Sequence, residues 1–386
     1  MKSAFLILNA GSSSLKFALY EAETLDPLLR GEVANLRRGT RLRLAPQSAV
    51  DHIDWGQPPE NGGHEEVIAW LENKWQGLAA VEIVASGHRI VHGGRDFSAP
   101  IRLGEDVLTK LDRLSPLAPA HEPHNLAGIR ALARAWPGLP QVGCFDTAFH
   151  RSQPHIAQIF GIPRELTDAG MLRYGFHGLS YEYIAGVLPQ KMGARGEGRI
   201  IVAHLGNGAS LCGLRERRSV ATTMGYTAMD GLVMSTRCGA IDPGLVLALV
   251  RERGYDATAD LLNNRSGLLG VSGLSGDIRE LEASENPCAK EALDLFVYRV
   301  LREAGSLIAV LGGFDAFVFT GGIGEHSSYL RQRISDGLAW TGARVDPKRN
   351  AAGEARIHVD GSPVELHVIA TNEELPIARA VRALIG

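Results

Sequence analysis

The sequence predicts an α/β fold built from two domains, and three observations lead to this prediction. Short runs of β-forming residues that end at glycine alternate with stretches of helical periodicity, as in sheets covered by helices. The length of 386 residues exceeds what one compact core usually holds. Residues 7–21 and 203–217 both follow the pattern strand, small polar turn, strand. This similarity indicates a duplication, although hairpins of small residues also resemble one another by chance.

The first part of the chain is rich in predicted strands. They are expected, in order, at residues 5–8, 15–20, 41–44, 81–85 and 141–145. A Gly-Ser-Ser-Ser turn joins the first two, so the chain is expected to open with a hairpin. The third alternates basic with apolar side chains, as a strand with one wet face does. Apolar spacing predicts a helix at residues 65–75.

The second part of the chain continues the alternation of strands and helices. Strands are predicted at residues 199–203, 211–214, 314–320 and 364–370. Apolar periodicity predicts a long helix at 287–311 and a closing helix at 375–384. The boundary between the two domains is expected shortly after His150.

Composition excludes several classes of protein. The net charge of -3 gives no bulk attraction to nucleic acid or to a membrane surface. The scattered cysteines form no C-x-x-C pair, which argues against a disulfide scaffold or a zinc site and suits a reducing compartment. The apolar run at residues 4–8 is short for a signal peptide, and no run is long enough to span a bilayer. A cytoplasmic location is therefore expected.

Three glycine-rich motifs stand at the ends of predicted strands. The sequence contains neither a G-x-x-x-x-G-K-[ST] loop nor a dinucleotide-binding fingerprint. In NAGSSSLK, small residues expose backbone N–H groups and hydroxyls, and Lys16 adds a positive charge. HLGNGAS adds His204 and Asn207 as donors, and GGIGE allows a flat ligand to approach the backbone closely. A single glycine turn is usually only a turn, but three at strand ends indicate a phosphate-binding site.

Charged residues cluster in the motifs beside these turns. Arginine suits the phosphoryl oxygens because its planar fork binds them in pairs without losing charge, and carboxylates and amides suit Mg²⁺. The alternative is that a lone arginine forms a surface ion pair and a lone histidine only completes a hydrogen bond. The motif from His121 to His124 is interpreted as a Pro-broken loop before a helix rather than as a metal pair. The candidates are His88, Arg89, His92, Asp146, Arg173, His177, Arg237, Asp242, Glu373 and Glu374.

The motifs LNAGSSSLKF, GHRIVHGG, FDTAFH, RYGFHG, HLGNGAS, STRCG, GGIGE and TNEEL give the chain a close resemblance to the acetate kinase family. This family belongs to the superfamily of acetate and sugar kinases, heat-shock ATPases and actin. The resemblance covers nearly the whole chain. It implies two duplicated ribonuclease-H-like (actin-like ATPase) domains with an active-site cleft between them. The first domain would comprise residues 1–150 and the C-terminal helix at about 373–386, and the second would comprise residues 151–372.

The resemblance also implies a reaction, its cofactors and a homodimer. The reaction is reversible phosphoryl transfer between ATP and acetate, which gives ADP and acetyl phosphate. Mg²⁺ is the expected metal, with Mn²⁺ as an alternative. The carboxylate would attack in line and needs no general base, because acetate is already ionised at neutral pH. No nucleic acid or membrane partner is implied.

The resemblance assigns roles to residues by matching motifs. Catalysis is implied for Arg89, Asp146, His177, His204 and Arg237. The nucleotide would be bound by Ser12, Ser14, Lys16, His204, Leu205, Gly206, Asn207, Gly208, Gly321, Gly322, Ile323 and Gly324. The carboxylic acid would contact Arg89, Val91, Ala120, Phe176 and Ala228. Asn9 and Glu373 correspond to positions associated with Mg²⁺.

Four residues depart from the pattern of the family. Ala240 and His326 stand where Asp and Asn are frequent, near the arginine and nucleotide loops. Ala120 and Ala228 stand where bulkier Leu and Pro are familiar in the acyl pocket. Because a methylene group changes binding in an apolar pocket by only about 1–3 kcal/mol, tolerance of propionate is expected.

Three alternatives remain open at this point. A propionate or butyrate kinase would use the same chemistry with a larger pocket. An actin-like nucleotide switch would bind ATP without transferring phosphate to an acid, but the sequence offers no additional peptide-binding domain. A pseudoenzyme would keep the fold alone, which the presence of Arg89, Arg237, Asp146 and Glu373 argues against.

Overall fold

The computed structural model describes residues 2–11, 14–45, 54–76, 81–119 and 121–386. Two residues with predicted roles, Ser12 and Ala120, lie outside these ranges. The chain divides into two compact units. The first unit consists of Met1–Phe149 and Asn372–Gly386, and the second unit consists of His150–Thr371.

The strands and helices of the described residues are numbered in chain order. The strands are β1 (Lys2–Ala10), β2 (Ser14–Glu21), β3 (Pro27–Ala34), β4 (Arg41–Leu44), β5 (Val81–Ile90), β6 (Ile101–Arg102), β7 (Gln141–Phe145), β8 (Arg199–Leu205), β9 (Ala209–Arg215), β10 (Arg218–Thr222), β11 (Ala316–Thr320) and β12 (Glu365–Val368). The helices are α1 (His64–Gln76), α2 (Glu105–Asp112), α3 (Glu122–Ala135), α4 (His155–Gln158), α5 (Arg164–Asp168), α6 (Gly178–Met192), α7 (Pro243–Arg253), α8 (Tyr255–Asn264), α9 (Gly267–Ser272), α10 (Ile278–Glu282), α11 (Pro287–Leu311), α12 (Gly321–His326), α13 (Ser328–Gly337), α14 (Pro347–Ala352) and α15 (Glu374–Ile385).

The sheet of the first unit has the strand order β4-β3-β2-β1-β5-β7-β6. Strands β1 to β4 form an antiparallel meander, whereas β1, β5 and β7 are parallel neighbours. The middle of β1 is buried because the sheet continues on both sides and helices cover its faces. Val67 and Leu71 of α1 join Leu6 and Phe17 in one apolar core. Burial of these side chains is the main force that holds the unit together.

The C-terminal helix α15 packs on the sheet of the first unit, although it is distant in sequence. A side chain at Gly87 on β5 would place its Cβ 2.4 Å from Ile377 Cγ2 and 2.7 Å from Val381 Cγ2. Only glycine permits this close approach of helix to strand. The contact explains why residues 372–386 belong to the first unit.

The sheet of the second unit repeats the central part of the first. Its order is β10-β9-β8-β11-β12, with β8, β9 and β10 antiparallel and β8, β11 and β12 parallel. The same order and directions occur in β3-β2-β1-β5-β7 of the first unit. The two similar segments of the sequence form the corresponding hairpins β1–β2 and β8–β9. The predicted α/β fold and its duplication are therefore confirmed.

The structure also refines the predicted elements. Helix α11 has the predicted bounds, begins at a cap in which Asn286 accepts from Cys288 N, and ends at Gly312 in the left-handed conformation. The predicted strands at 314–320 and 364–370 are shorter, at 316–320 and 365–368. The loop predicted at His121–His124 is wrong, because α3 begins at Glu122 and accommodates Pro123 in its first turn. Among the described residues, no helix combines the length and apolar character needed to cross a membrane.

Candidate active site

In the first unit, three predicted site residues meet at the carboxyl ends of parallel strands. Asn9 lies near the end of β1, Arg89 near the end of β5, and Asp146 directly after β7. Arg89 Nη2 and Nε donate to the two carboxylate oxygens of Asp146 at 2.5 and 3.1 Å, and Arg89 Nη1 donates to Asn9 Oδ1 at 3.2 Å. Glu373 Oε2 lies 3.9 Å from Arg89 Nε. The guanidinium of Arg89 thus links three other residues with predicted roles.

The environment keeps this arginine charged. Burial alone would lower the pKa of Arg89, but the Asp146 and Glu373 carboxylates outweigh burial and hold that pKa above its ordinary value. Burial also raises the pKa of Asp146 to about 6, against the opposing effect of Arg89. At neutral pH the pair is therefore ionic, and the guanidinium keeps its positive charge.

Two side chains hold the residues that follow β1, where the sequence predicts a phosphate loop. His64 Nε2 on α1 donates to the carbonyl of Gly11 at 2.8 Å. Asn125 Nδ2 on α3 donates to the carbonyl of Ala10 at 2.6 Å. The Oδ1 atom of the same asparagine accepts from Val91 N at 3.0 Å. Asn125 therefore connects the loop after β1 with the segment after β5 that carries the predicted acyl-pocket residue Val91.

The histidines that flank Arg89 are not cationic. Burial lowers the pKa of His88 and of His92 to about 4. Glu122 accepts from His92 N at 3.1 Å, and burial raises the pKa of this carboxyl to about 8. At neutral pH these groups are neutral, so Arg89 supplies the charge of the GHRIVHGG motif.

The other predicted residues of the first unit lie near the same strand ends. Lys16 on β2 stands opposite Asn9 in the antiparallel ladder and is exposed to solvent. The carbonyl of Ser14 accepts from Gly11 N at 2.8 Å and closes the turn between the two strands. Glu373 is partly exposed and immediately precedes α15.

In the second unit, the HLGNG and GGIG turns lie side by side after parallel strands β8 and β11. A Cβ added at Gly206 would lie 3.9 Å from His204 Nε2 and 4.0 Å from Gly322 N. Gly321 has a φ of +76°, and a Cβ there would meet the carbonyl of Leu205 at 2.8 Å. Glycine is therefore required at the start of the GGIG turn, which holds Ile323 and Gly324 in the first turn of α12.

Glu325 fixes the GGIG turn to the segment that follows β12. Its Oε1 atom accepts from Gly321 N at 2.9 Å and from Thr371 N at 3.1 Å. The ends of β8, β11 and β12, which are parallel neighbours, thus carry the three motifs HLGNG, GGIGE and TNEE. This is the sheet edge at which open α/β folds bind ligands.

His177 and His204 stack on each other, with ring centroids 4.3 Å apart and planes at 26°. His177 Nδ1 is hydrogen-bonded to Ser210 Oγ at 2.8 Å, and His204 Nδ1 to Ser180 Oγ at 2.8 Å. Each ring is thus held through its Nδ1 atom.

Arg237 and His177 converge on the backbone of Gly208. A Cβ added at Gly208 would lie 2.8 Å from Arg237 Nη2 and 3.0 Å from His177 Nε2. Arg237 Nη1 donates to the carbonyl of Ala228 at 2.6 Å, which anchors the guanidinium. A guanidinium and an imidazole therefore face one small space beside a glycine, an arrangement that suits an anionic oxygen. We call this place the Gly208 corner.

The residues predicted to contact the acid divide between the units. Val91 is buried in the first unit; in the second unit Phe176 is buried and Ala228 is half-buried. Asn207, also predicted to bind the nucleotide, is exposed in the β8–β9 turn, and its Oδ1 accepts from Ser235 Oγ at 3.3 Å.

Two charged candidates of the second unit have structural roles. Arg173 donates to the carbonyls of Thr223 and Met224 and pairs with Asp230 at 3.0 Å. Asp242 caps α7 by accepting from Leu245 N. Contacts of this kind are typical of residues that stabilise a fold.

Two of the residues that depart from the family pattern, Ala240 and His326, lie in the second unit. Ala240 is fixed through its backbone, which donates to the carbonyl of Gly231 and accepts from Arg299 Nη2. His326 is exposed at the end of α12.

Several residues of this arrangement were missed by sequence reasoning. Glu325 and Thr371 lie inside or beside quoted motifs, so a search for polar partners of the strand ends could have found them. His64, Glu122 and Asn125 are brought in by α1 and α3, and their roles depend on tertiary contacts. Ser180 and Ser210 follow the two histidines closely in the sequence, but their hydrogen bonds to the rings could not be predicted from it.

Comparison with known proteins identifies close similarity over almost the whole chain. The model of the Acetokinase family matches residues 4–379. The acetate kinase of Rhodopseudomonas palustris (strain ATCC BAA-98 / CGA009) is 49% identical over 394 residues, covering 99% of this chain and 98% of the relative. The acetate kinase of Methylocella silvestris is 45% identical and covers 100% of this chain and 98% of the relative.

Two solved structures share the fold. The acetate kinase of Porphyromonas gingivalis has a TM-score of 0.87 and 34% identity, with complete coverage of both chains. The propionate kinase of Francisella tularensis has a TM-score of 0.87 and 36% identity, with 98% of each chain covered.

Proposed function

Because the chain belongs to the acetokinase family and is a kinase with a carboxylate acceptor, we propose that it catalyses reversible, direct transfer of a phosphoryl group between ATP and acetate. The products in one direction are acetyl phosphate and ADP. The observation that carries this proposal is the Gly208 corner, where Arg237 Nη2 and His177 Nε2 approach one point. In-line phosphoryl transfer needs such donors around the equatorial oxygens of the moving group.

The nucleotide is assigned to the glycine turns. Gly206 and Gly208 allow phosphate oxygens to approach the backbone of the β8–β9 turn, and the neighbouring GGIG turn would receive the adenosine portion. In the first unit, Lys16 and Ser14 are assigned to the phosphates. His204, stacked on His177, would donate to the same group and keep that ring in place.

Acetate is assigned to Arg89, with Val91, Phe176 and Ala228 against its methyl group. Asp146 holds the Arg89 guanidinium in a bidentate pair and keeps it oriented. The carboxylate of acetate is ionised at neutral pH, so the protein must orient it and neutralise charge rather than remove a proton. In the proposed reaction, a carboxylate oxygen forms a bond to the γ-phosphorus as the bond to ADP breaks.

The residues present are suitable for Mg²⁺, and Mn²⁺ could take its place. Mg²⁺ usually keeps several waters and binds one or two carboxylates together with substrate phosphates. No group of three or more His, Cys, Asp or Glu residues that could hold a metal occurs in the described ranges. Glu373, which is partly exposed, and Asn9 would hold the ion, with Asp146 beside them. When bound, Mg²⁺ would neutralise charge on the phosphates.

The preference among short carboxylic acids is part of the proposal. Ala228 is smaller than the residue familiar at its position, and one relative with the same fold is named a propionate kinase. We expect acetate as the main substrate and kcat/KM for propionate lower by about 10- to 100-fold, because one methylene changes binding by about 1–3 kcal/mol. A propionate value several orders of magnitude lower would contradict this part of the proposal.

A cytoplasmic homodimer is the remaining part of the proposal. Helix α7 has the sequence PGLVLALVRER, yet none of its residues is buried; Leu245 and Leu247 are 49% and 67% exposed. Helix α7 packs against α8, but these two leucines stay exposed, and exposed apolar side chains clustered on one helix are typical of a surface that binds another molecule. A second copy of the chain is the partner that the family resemblance implies.

The experiment that tests the proposed function traps the product. Purified protein is incubated with Mg-ATP and acetate, propionate, butyrate or no acid, and hydroxylamine converts any acyl phosphate to a hydroxamate. We expect acid-dependent hydroxamate that is strongest with acetate. ATP consumption without hydroxamate would instead indicate a nucleotide switch that transfers phosphate to water.

A further inference from the structure

A chain of buried hydroxyl groups ends on His177. Tyr181 Oη lies 2.5 Å from Ser210 Oγ, and Ser210 Oγ lies 2.8 Å from His177 Nδ1. Tyr181 and Ser210 are fully buried. No solvent therefore competes for these hydrogen bonds, and the positions of the two hydroxyl protons decide which nitrogen of His177 carries its proton.

The direction of the chain follows from the donors available. A phenol is far more acidic than an aliphatic hydroxyl and is the better donor of the two. Burial raises the pKa of Tyr181 well above its ordinary value, so the phenol keeps its proton. The Tyr181 oxygen also accepts a hydrogen bond from the backbone of His204, which opposes this shift. Tyr181 therefore donates to Ser210, and the proton of Ser210 is directed to His177 Nδ1.

We infer that Tyr181 and Ser210 are positioning residues that hold His177 in the tautomer with its proton on Nε2. The inference rests on the proposed function, in which His177 acts on the transferred phosphoryl group. Nε2 faces the Gly208 corner, 3.0 Å from the position of a Cβ on Gly208. With the proton on Nε2, His177 donates beside Arg237; with the proton on Nδ1, a lone pair would face the anionic oxygens and repel them.

The backbone and the neighbouring ring also restrict His177. The residue has φ of 59° and ψ of 23°, the left-handed backbone conformation that residues other than glycine rarely adopt. Tyr181, one helical turn later, donates its own N–H to the carbonyl of His177 at 3.1 Å. Stacking on His204 fixes the plane of the ring. A flip of the ring would break the bond to Ser210, so the orientation and the tautomer are fixed together.

The test reads the tautomer directly. Long-range ¹H–¹⁵N correlation spectra of histidine-labelled protein distinguish the two tautomers, and the His177→Gln spectrum identifies the His177 signal. We expect the proton on Nε2 in the unaltered protein. Ser210→Ala and Tyr181→Phe should move part of the population to Nδ1 and lower kcat by about 10- to 100-fold, with KM for ATP and acetate changed by less than about threefold.

Two variants in the same unit serve as matched controls. Tyr174→Phe removes a buried hydroxyl that donates to the carbonyl of Gly170, and Ser335→Ala removes a buried hydroxyl on α13. Both should leave the His177 signal and kcat unchanged, which separates the tautomer effect from a general effect of losing a buried hydroxyl.

Three results decide the matter. A proton on Nδ1 in the unaltered protein would overturn the inference. So would an unchanged His177 signal in both Ser210→Ala and Tyr181→Phe. If the unaltered protein formed no hydroxamate but Tyr181→Phe still shifted the signal, the proposed function would fail while the assignment of Tyr181 and Ser210 was supported.

Discussion

At the scale of single residues, Arg89 is the centre of the first unit's cluster. It contacts Asp146, Asn9 and Glu373, and its bidentate bond to Asp146 holds the guanidinium in one orientation. A lysine could supply the charge but not the planar pair of donors. The residue is therefore expected to act through its geometry as well as its charge.

The first prediction concerns this arginine. Arg89→Ala should lower kcat by two or more orders of magnitude because a preorganised donor to the acid is lost. Arg89→Lys should recover little of the activity. Steady-state kinetics with acetate and Mg-ATP measure both. Arg130→Ala breaks an exposed bidentate pair with Asp112 in the same unit and is the matched control; near-normal turnover in Arg89→Ala would remove this residue from the site.

The second prediction concerns the buried carboxyl of Glu122. Its pKa is raised by burial from 4.5 to about 8, so the folded chain binds this proton more tightly than the unfolded chain. The stability that it contributes is complete below the unfolded value and is lost as pH rises from about 4.5 towards 8. The slope is at most about 1.4 kcal/mol per pH unit.

Urea unfolding of the protein and of Glu122→Gln between about pH 5 and pH 8 measures this effect. The amide cannot ionise, so Glu122→Gln should gain stability relative to the unaltered protein as pH rises. Glu82→Gln, on an exposed position of β5, is the control. A difference between the two proteins that did not vary with pH would show that Glu122 is ionised in the folded chain.

At the scale of elements, the β8–β9 hairpin positions the second cluster. Leu205 and Ala209 are its last paired residues. Of the residues between them, Gly206 lies near His204 and Gly322, and Gly208 lies near Arg237. The hairpin thus brings donors from separate parts of the second unit to one place. The closest approach is at Gly208, where a Cβ would lie 2.8 Å from Arg237 Nη2.

The third prediction tests the hairpin through Gly208. A methyl group at this position would lie 2.8 Å from Arg237 Nη2 and 3.0 Å from His177 Nε2, within the space assigned to phosphate. Gly208→Ala should therefore lower kcat/KM for ATP by about 10-fold or more, with little change in stability. Kinetics and thermal unfolding measure the two effects. Gly161→Ala, whose Cβ would contact nothing within 4 Å, is the control; unchanged kinetics in Gly208→Ala would contradict the assignment.

The sequence predicted elements and strand-end motifs well because both depend on local pattern. Helix α11 was predicted with its observed bounds since its apolar period and its Asn and Gly caps are local signals. The beginning of α3 was missed because Pro123 reads as a loop residue, although it is tolerated in a first helical turn. His64, Asn125 and Tyr181 could not be predicted, since each acts through a contact distant in sequence or through a buried hydrogen bond.

At the scale of the whole molecule, the two sheets share one topology. In both units the motifs follow corresponding strands. Duplication therefore produced two sheet edges at which polar residues cluster. The apolar helix α7 in the second unit bears on the proposed association of two chains. Leu245 and Leu247 of this helix are exposed to solvent.

The fourth prediction concerns this helix. Leu247→Arg places a charge on the surface assigned to the second copy and should convert a dimer to a monomer. Sedimentation velocity or light scattering measures the mass in solution. Leu44→Arg, on the exposed edge strand β4 of the first unit, is the control. An unaltered protein that sediments as a monomer would contradict the proposed dimer, and an unchanged mass for Leu247→Arg would exclude α7 from the interface.

The central claim is a single, direct transfer between ATP and the carboxylate. The most direct test uses ATP whose γ-phosphoryl group is made chiral with oxygen isotopes, and determines the configuration of the phosphoryl group after transfer to acetate. One in-line displacement inverts the configuration at phosphorus, so inversion is the expected result. Retention would mean two displacements through a phosphorylated residue of the protein, and the roles proposed for Arg89, His177 and Arg237 would have to be assigned again.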